Sequence, residues 1–280
     1  VRLHAYVLAA DPAFLAQSVQ SYYDVVDRIV VSYDVDGLSW TGTPIPVEQC
    51  LEILRAIDTE DKCVFVPGAF ARLGHEPLDN DTYQRQTALD LASDGADWVL
   101  QLDTDEVLPS SAPLVSAIRS AEASGHGGVD YPARWLYARV GPGTYLEAST
   151  RSGRPAASFP GPLAVRSGTT LRHCRQADVP LFRVDLRPWN TDPFHPRTAT
   201  VHEVVGHEDA VIHYSWVRSD ETMRRKFGWS GHTAVYSRPA VYDAWVRRAR
   251  HPRLTALTSP LRSRDWYRVT HAPDHLEGEW

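Results

Sequence analysis

The feature that most restricts the fold is a strict alternation of short apolar runs with amphipathic stretches over the first hundred residues. Leu3 to Ala9 reads as a buried strand, and Pro12 with Phe14, Leu15, Val19 and Tyr22 reads as a helix opened by proline in its first turn. Arg28 to Tyr33 gives a second strand, stopped by the turn chemistry of Asp34-Val35-Asp36-Gly37. Val47 to Ile57 repeats the helical spacing, Cys63 to Val66 is a third strand, Tyr83 to Ala92 another helix, and Asp97 to Leu102 a fourth strand. Strands joined through helices run parallel, so the expected fold is α/β, a mainly parallel sheet flanked by helices. Ligands of such sheets sit outside the carboxyl ends of the strands.

The pattern changes after a helix over Pro113 to Ala123. Val129 to Tyr131, Arg134 to Tyr137, Leu163 to Arg166 and Ala210 to His213 read as strands among Gly- and Pro-rich loops. Residues 219 to 250 are helical in character, and the tail from about 251 shows no clear period. With no repeat and no low-complexity linker, residues 1–250 are expected to form one domain, split near 108 into a strand–helix half and a β-rich half. Residues 251–280 are expected to be a C-terminal, largely helical extension.

Twenty-nine Lys and Arg against 35 Asp and Glu leave a formal charge of −6, which speaks against a broad basic field for nucleic acid. Small-molecule chemistry fits better. No run approaches the roughly 20 apolar residues of a membrane span, and the opening residues lack a signal-peptide layout, so a cytoplasmic protein without membrane contact is expected. Arg247, Arg248, Arg250 and Arg253 are the exception, a local basic face that could meet an anionic surface. Cys50, Cys63 and Cys174 are too scattered for a disulfide framework or a metal knuckle and are expected to be reduced. Lys62 and Lys226 are the only lysines, which draws attention to Lys226.

The sharpest local signal is Leu100-Gln101-Leu102-Asp103-Thr104-Asp105-Glu106. An apolar strand delivers carboxylates to the sheet edge where ligands bind, and carboxylates one residue apart can share a hard divalent cation. The plainer reading is that Asp103 or Asp105 caps the next helix.

Here the chain resembles the family 2 type of GT-A glycosyltransferases over roughly residues 2 to 232. Four pieces carry the resemblance: the opening strand and helix; Ile29 to Asp34, with an acidic residue after the second strand; Tyr83 to Leu89, with its arginine; and Ala96 to Glu106, with Asp-x-Asp. Ile212-His213-Tyr214-Ser215-Trp216, followed by Lys226, resembles the late histidine segment of many members. The resemblance implies a GT-A, nucleotide-diphospho-sugar transferase fold with a donor half over about 1–108 and an acceptor half with lid over about 109–250. It implies transfer from a nucleotide-diphospho-sugar, a UDP-sugar being favoured, to a hydroxyl acceptor, with Mn²⁺ or Mg²⁺ as cofactor.

Carried over residue by residue, Asp105 would bind the metal, Asp103 would touch the donor ribose or a metal-bound water, and His213 would close the metal site. Asp34 would face the nucleobase, with Ala9 and Tyr33 beside it in the donor site. Arg85 would hold Asp34 or the donor phosphates, and Lys226 would neutralise the diphosphate leaving group. The family's second acidic residue before Asp34 is replaced here by Tyr33, and Val35-Asp36-Gly37 stands where Gly-Ser often follows. The segment from Trp216 to His232, with Gly228 and Gly231, could form a lid over the reacting sugar.

An inverting transfer also needs a base for the acceptor hydroxyl. Glu203, Asp185, Asp130 and Glu208 are eligible, and Glu203 is the choice because it precedes the His213 strand in a polar segment. His202-Glu203-Val204-Val205-Gly206-His207 mimics a zinc-protease motif but is one residue too long to place both histidines on one helix face. No Gly-Lys-Ser/Thr phosphate loop, Gly-x-Gly-x-x-Gly turn or Gly-x-Ser-x-Gly elbow occurs. The rivals are a nucleotidyltransferase, against which Ala9-Ala10-Asp11-Pro12 lacks a Gly-rich basic loop, and an inactive carbohydrate-binding protein, against which all three candidate metal ligands are present.

Overall fold

The computed structural model describes residues 1–192, 195, 198–236 and 238–273. The chain opens with β1 (Leu3–Leu8), α1 (Leu15–Gln20), β2 (Arg28–Asp34), α2 (Val47–Ile57), β3 (Cys63–Gly68), α3 (Pro77–Ala92) and β4 (Trp98–Leu100), the alternation expected from the sequence. β5 (Glu106–Val107) and α4 (Ala112–Ala123) follow, then a run of strands: β6 (Gly128–Asp130), β7 (Ala133–Gly141), β8 (Thr144–Ser149), β9 (Ala164–Arg166), β10 (Leu171–His173), β11 (Gln176–Ala177), β12 (Leu181–Asp185), β13 (Glu203–Val204) and β14 (Val211–His213). The helices α5 (Asp220–Trp229), α6 (Thr233–Tyr236), α7 (Pro239–Arg250) and α8 (Pro252–Thr258) precede a last strand, β15 (Trp266–His271).

The main sheet has eight strands in the order β13-β12-β6-β9-β4-β1-β2-β3. All neighbours run parallel except at β9, which is antiparallel to β4 and β6. Period-2 alternation sorts its side chains. Ala5, Val7, Ile29 and Val31 join one core with Leu15, Val19, Leu51, Leu54, Ala117 and Ile118, so α1, α2 and α4 cover that face. Tyr6, Leu8 and Val30 join the opposite core with Ala88, Leu89 and Ala92 of α3. α3 starts six residues before the expected Tyr83, because its opening turns bury Asn80, Asp81, Gln84 and Arg85 in place of an apolar stripe.

A second sheet of five strands, β15-β8-β7-β14-β5, packs beside the first. β5 follows the Asp103–Asp105 turn directly, so that turn is where the chain passes from one sheet to the other. The residues after 251 are more than an aperiodic extension: β15 pairs with β8 from Trp266 to His271. Buried charge, which hides the apolar period, holds that strand. Glu147 of β8 is fully buried and meets Arg134 Nε at 2.6 Å, Arg268 Nε at 2.8 Å and His207 Nε2 at 2.8 Å.

Burial pushes the Glu147 carboxyl up, but the His207 hydrogen bond and Arg134 outweigh it and hold it at about 2, below its ordinary 4.5. The stabilisation is therefore complete above about pH 4.5 and is lost as pH falls towards 2. Thermal unfolding of the intact protein and Glu147→Gln should show a wide gap in Tm at neutral pH that closes across that window. A gap independent of pH would remove the carboxylate from the account.

Among the described residues no helix is long and apolar enough to cross a membrane. The expected arginine face is also smaller than the sequence suggests. Arg248 folds inward, with its guanidinium 5.2, 5.7 and 5.9 Å from the ring centroids of Tyr137, Trp216 and Tyr267.

Candidate active site

At the carboxyl end of β4 the chain turns through Asp103, Thr104 and Asp105, and Glu106 anchors the turn. The buried Glu106 accepts from Arg175 Nη1 at 2.6 Å and Nη2 at 2.7 Å and from the Asp103 backbone N–H at 3.0 Å. β14 then sets His213 opposite Glu106 and, on its other side, opposite Trp135 of β7. Strand register, a property of the whole second sheet, therefore brings residues 105, 135 and 213 to one place.

Asp105 is the hub of the site. Its Oδ2 accepts from Lys226 Nζ at 2.6 Å and Arg218 Nη2 at 3.0 Å, and its Oδ1 lies 3.1 Å from His213 Nε2. Burial raises its carboxyl, but Lys226, His213 and Arg218 prevail and hold it well below the usual carboxylate range. Asp103 turns to the other side and accepts from Arg85 Nη2 at 2.8 Å. Desolvation raises that carboxyl too, and Arg85 and Arg175 bring it below its ordinary value. Arg85 also donates to Asp81 at 2.6 Å, one helical turn earlier, and Arg218 Nη2 reaches Asp11 at 3.1 Å.

All of these groups except Glu106 and Arg218 line one cleft, together with Trp40, Trp135, Ser215, Trp229 and Tyr236. Two buried polar atoms there, Arg85 Nη1 and His213 Nδ1, have no hydrogen-bond partner. Part of the segment expected as a lid, Lys226 and Trp229 to His232, lines the cleft. Ser219 caps α5 by accepting from the Thr222 N–H, Thr41 Oγ1 donates to the Gly228 carbonyl at 3.1 Å, and Trp40 and Trp229 meet with centroids 6.5 Å apart. Gly231 is packed so closely that an added Cβ would lie 3.3 Å from Leu78 and 3.5 Å from Asp81 and Trp40.

The structure thus brings together Asp103, Asp105, His213, Arg85 and Lys226. It does not group Asp103, Asp105 and His213 into a ready ligand set, and among the described residues no cluster of three or more His, Cys, Asp or Glu is arranged for a metal. The cause is electrostatic: Arg85 draws Asp103 away, and Lys226 occupies Asp105.

Several expected roles need correction. Asp34 lines a narrow slot with Ala9, Leu38, Ser39, Trp40, Ile45, Gln84 and Trp229 that shares its two tryptophans with the cleft. Its carboxylate, however, is spent on four backbone N–H groups, those of Asp36, Leu38, Phe70 and Ala71, so it ties two loops together. Arg85 does not hold it. Tyr33 falls on the opposite face of β2 and packs into the α1, α2 and α4 core, away from the slot.

Glu203 is not in the cleft. β13 is the edge strand, four places from β4, which is roughly 19 Å at ordinary strand spacing. The other eligible bases fail for separate reasons. Asp185 is buried among Thr191, Arg183 and the Leu186 N–H. Asp130 is buried beside Arg183 and His195 and does not line the cleft. Glu208 is exposed on a 3-10 turn. Among the described residues every carboxylate lining the cleft is paired with an arginine or lysine. His202 and His207 diverge, one accepting from the Arg183 N–H and the other meeting Glu147, as expected of a motif that is no zinc site.

No family model and no curated protein sequence matches the chain. Many solved structures are similar in part, and three illustrate the likeness. They are 4-diphosphocytidyl-2C-methyl-D-erythritol synthase from Anaerococcus prevotii (13% identity, TM-score 0.33, covering 59% of this chain and 70% of that one), mannose-6-phosphate isomerase from Helicobacter pylori (11%, 0.29, 54% and 57%) and mannose-1-phosphate geranyltransferase from Thermus thermophilus (12%, 0.29, 61% and 51%). The chain spans little more than half the length of the latter two.

Sequence reasoning missed Asp11, Asp81, Arg175 and Arg218. Only Asp81 carried a local signal, since it stands four residues before Arg85 on the same helix face.

Proposed function

We propose that this protein is a glycosyltransferase that moves a sugar from a nucleoside-diphosphate sugar, a UDP-sugar being favoured, to a hydroxyl acceptor with the aid of Mn²⁺ or Mg²⁺. The observation that carries the reading is the charge balance at the sheet edge. Five carboxylates (Asp11, Asp81, Asp103, Asp105 and Glu106) meet four permanent cations (Arg85, Arg175, Arg218 and Lys226), leaving one negative charge when His213 is neutral. A diphosphate adds further negative charge, so it enters favourably only with a divalent cation.

Asp105, His213 and Asp103 are the residues that would hold that cation; carboxylate oxygen and imidazole suit Mg²⁺ or Mn²⁺. Bound there, it would stabilise the negative charge that develops on the departing diphosphate. Binding requires Asp103 to turn from Arg85 and Lys226 to leave Asp105, which frees the lysine ammonium for the same phosphates. Arg85 Nη1, buried and unused, would donate to a phosphate oxygen without breaking an existing bond. In the transfer, the acceptor oxygen bonds the anomeric carbon as the bond from that carbon to the diphosphate oxygen breaks. The electron pair leaves with the nucleoside diphosphate, and the hydroxyl proton passes to water.

Thermal shift with a panel of nucleotide-sugars, with and without Mn²⁺, tests the donor. Product analysis separates transfer, which yields nucleoside diphosphate, from the nucleotidyltransferase reaction, which makes pyrophosphate from a nucleoside triphosphate and a sugar phosphate. Absence of any Mn²⁺-dependent nucleotide-sugar binding overturns the proposal. Asp11 in the first strand–helix loop counts against the nucleotidyltransferase, because it adds negative charge beside Arg218 where that chemistry needs a phosphate cradle.

Lys226→Ala separates the two tasks of this lysine. Without nucleotide, Mn²⁺ should bind about tenfold more tightly, because a charge-assisted bond to Asp105 no longer competes. The transfer rate should nevertheless fall about 100-fold, with a smaller change in donor affinity, because the leaving-group charge grows in the transition state. A Mn²⁺ titration followed by electron paramagnetic resonance and a kcat measurement check both; no change in either reduces Lys226 to a helix surface residue.

A further inference from the structure

Resting on that donor reading, we propose that the end of the cleft beyond Asp105 is an acceptor platform for a pyranose ring, with Trp135 as its stacking surface. The cleft has a direction. The slot beside Ala9 and Asp34 lies at the ends of β1 and β2 in the first sheet, the Asp103–Asp105 turn lies at the junction, and Trp135 lies on β7 in the second sheet. A donor with its diphosphate at the turn and its nucleoside on the first-sheet side, by Trp40, directs its reactive carbon towards Trp135.

Flat rings continue from that point. Trp135 is half-buried and stands edge-on to His213 at 4.9 Å, Tyr137 is 6.5 Å from Trp135 and stacks on Trp216 at 6.0 Å, and Trp216 meets Tyr236 at 5.4 Å. Trp135 and Tyr236 both line the cleft.

A purely apolar occupant leaves one group unexplained. Trp135 Nε1 is buried without a hydrogen-bond partner, a costly state for an N–H donor. A pyranose ring answers both demands, because it presents an apolar face of C–H groups to an indole and a rim of hydroxyls that accept from an N–H. Ser215, whose hydroxyl accepts from Lys226 Nζ at 3.2 Å, gives the same part of the cleft a further polar edge. Mostly aromatic walls with a few placed polar groups are the usual make-up of a small-molecule site, and such groups fix orientation as the rings supply contact area. Trp135 is therefore assigned as a specificity-determining residue and a carbohydrate as the acceptor class.

Saturation-transfer NMR on the protein with UDP and Mn²⁺ tests this, with methyl glucopyranoside, methyl galactopyranoside, methyl mannopyranoside, glycerol and an octyl-chain alcohol as probes. At least one pyranoside should show saturation of its ring C–H protons, lost in Trp135→Ala and weakened but present in Trp135→Phe, which keeps a ring and lacks the Nε1–H, while the UDP signals stay equal in all three proteins. The phenylalanine variant keeps a ring against His213, so it guards against simple misfolding.

Pyranoside signals unchanged in Trp135→Ala, no pyranoside signal in the intact protein, or contact with the octyl chain alone would each overturn the platform. Trp135-dependent pyranoside contact without any UDP binding would support the platform and sink the donor reading.

Discussion

Replacing Asp105 with asparagine is expected to abolish Mn²⁺-dependent nucleotide binding and to lower sugar transfer by about 1,000-fold or more. No other carboxylate lining the cleft meets three different basic side chains. Lys226, Arg218 and His213 all converge on its two oxygens, and the cations hold it ionised well below the ordinary carboxylate range. Asparagine keeps the shape and one oxygen but removes the charge, so Lys226 is left as an unbalanced cation facing the cleft, while Arg218 keeps Asp11. The expected signature is more specific than loss of function: residual nucleotide binding should become independent of Mn²⁺ and strongly dependent on salt, because bare cations then hold the phosphates. Calorimetry of UDP binding with and without Mn²⁺ at two ionic strengths would show it. Wild-type affinity with an intact Mn²⁺ requirement would remove Asp105 from the metal site.

The sequence disclosed those parts of this arrangement whose signal is local. The first four strands and the helix Val47–Ile57 are visible because each buries apolar residues at its own period, two or 3.6, against one of two cores. The Asp103–Asp105 turn is visible because an apolar strand leads into it, and Lys226 because lysine is scarce. The second sheet was only half legible. Its strands bury Arg134 and Glu147 in pairs, so polar residues stand where apolar ones mark a strand, and β15 hid in the tail for that reason.

The error over Glu203 has a different origin. Nearness in sequence to His213 suggested nearness in space, but β13 and β14 belong to different sheets, and the chain crosses between them in the six residues from 205 to 210. Arg175 and Arg218 are delivered by a hairpin and a loop far apart in the chain, and only tertiary pairing with Glu106 and Asp105 gives them meaning. Asp34 shows the reverse case: a carboxylate at the expected place whose oxygens the backbone has already claimed.

Glu106 is the residue whose loss should cost most in stability. It is fully buried, holds Arg175 through two short bonds and fixes the Asp103 N–H, so Glu106→Ala leaves a buried guanidinium without its counter-ion. Breaking such a pair by removing one partner costs about 3–5 kcal/mol, whereas replacing both partners by apolar residues of similar volume is often close to neutral. Urea unfolding should therefore rank Glu106→Ala far below the intact protein and the double variant Glu106→Leu, Arg175→Met near it. A single-variant loss under about 1 kcal/mol would mean that the pair is solvated and would contradict its burial.

Activity should not return with stability in the double variant. Arg175 also lines the cleft and lowers the Asp103 carboxyl, and Glu106 holds the backbone of the turn from which Asp103 and Asp105 project. The buried pair therefore serves to place the turn at the junction of the two sheets, and a well-folded protein with two carboxylates set loosely at that junction is the expected product of removing it.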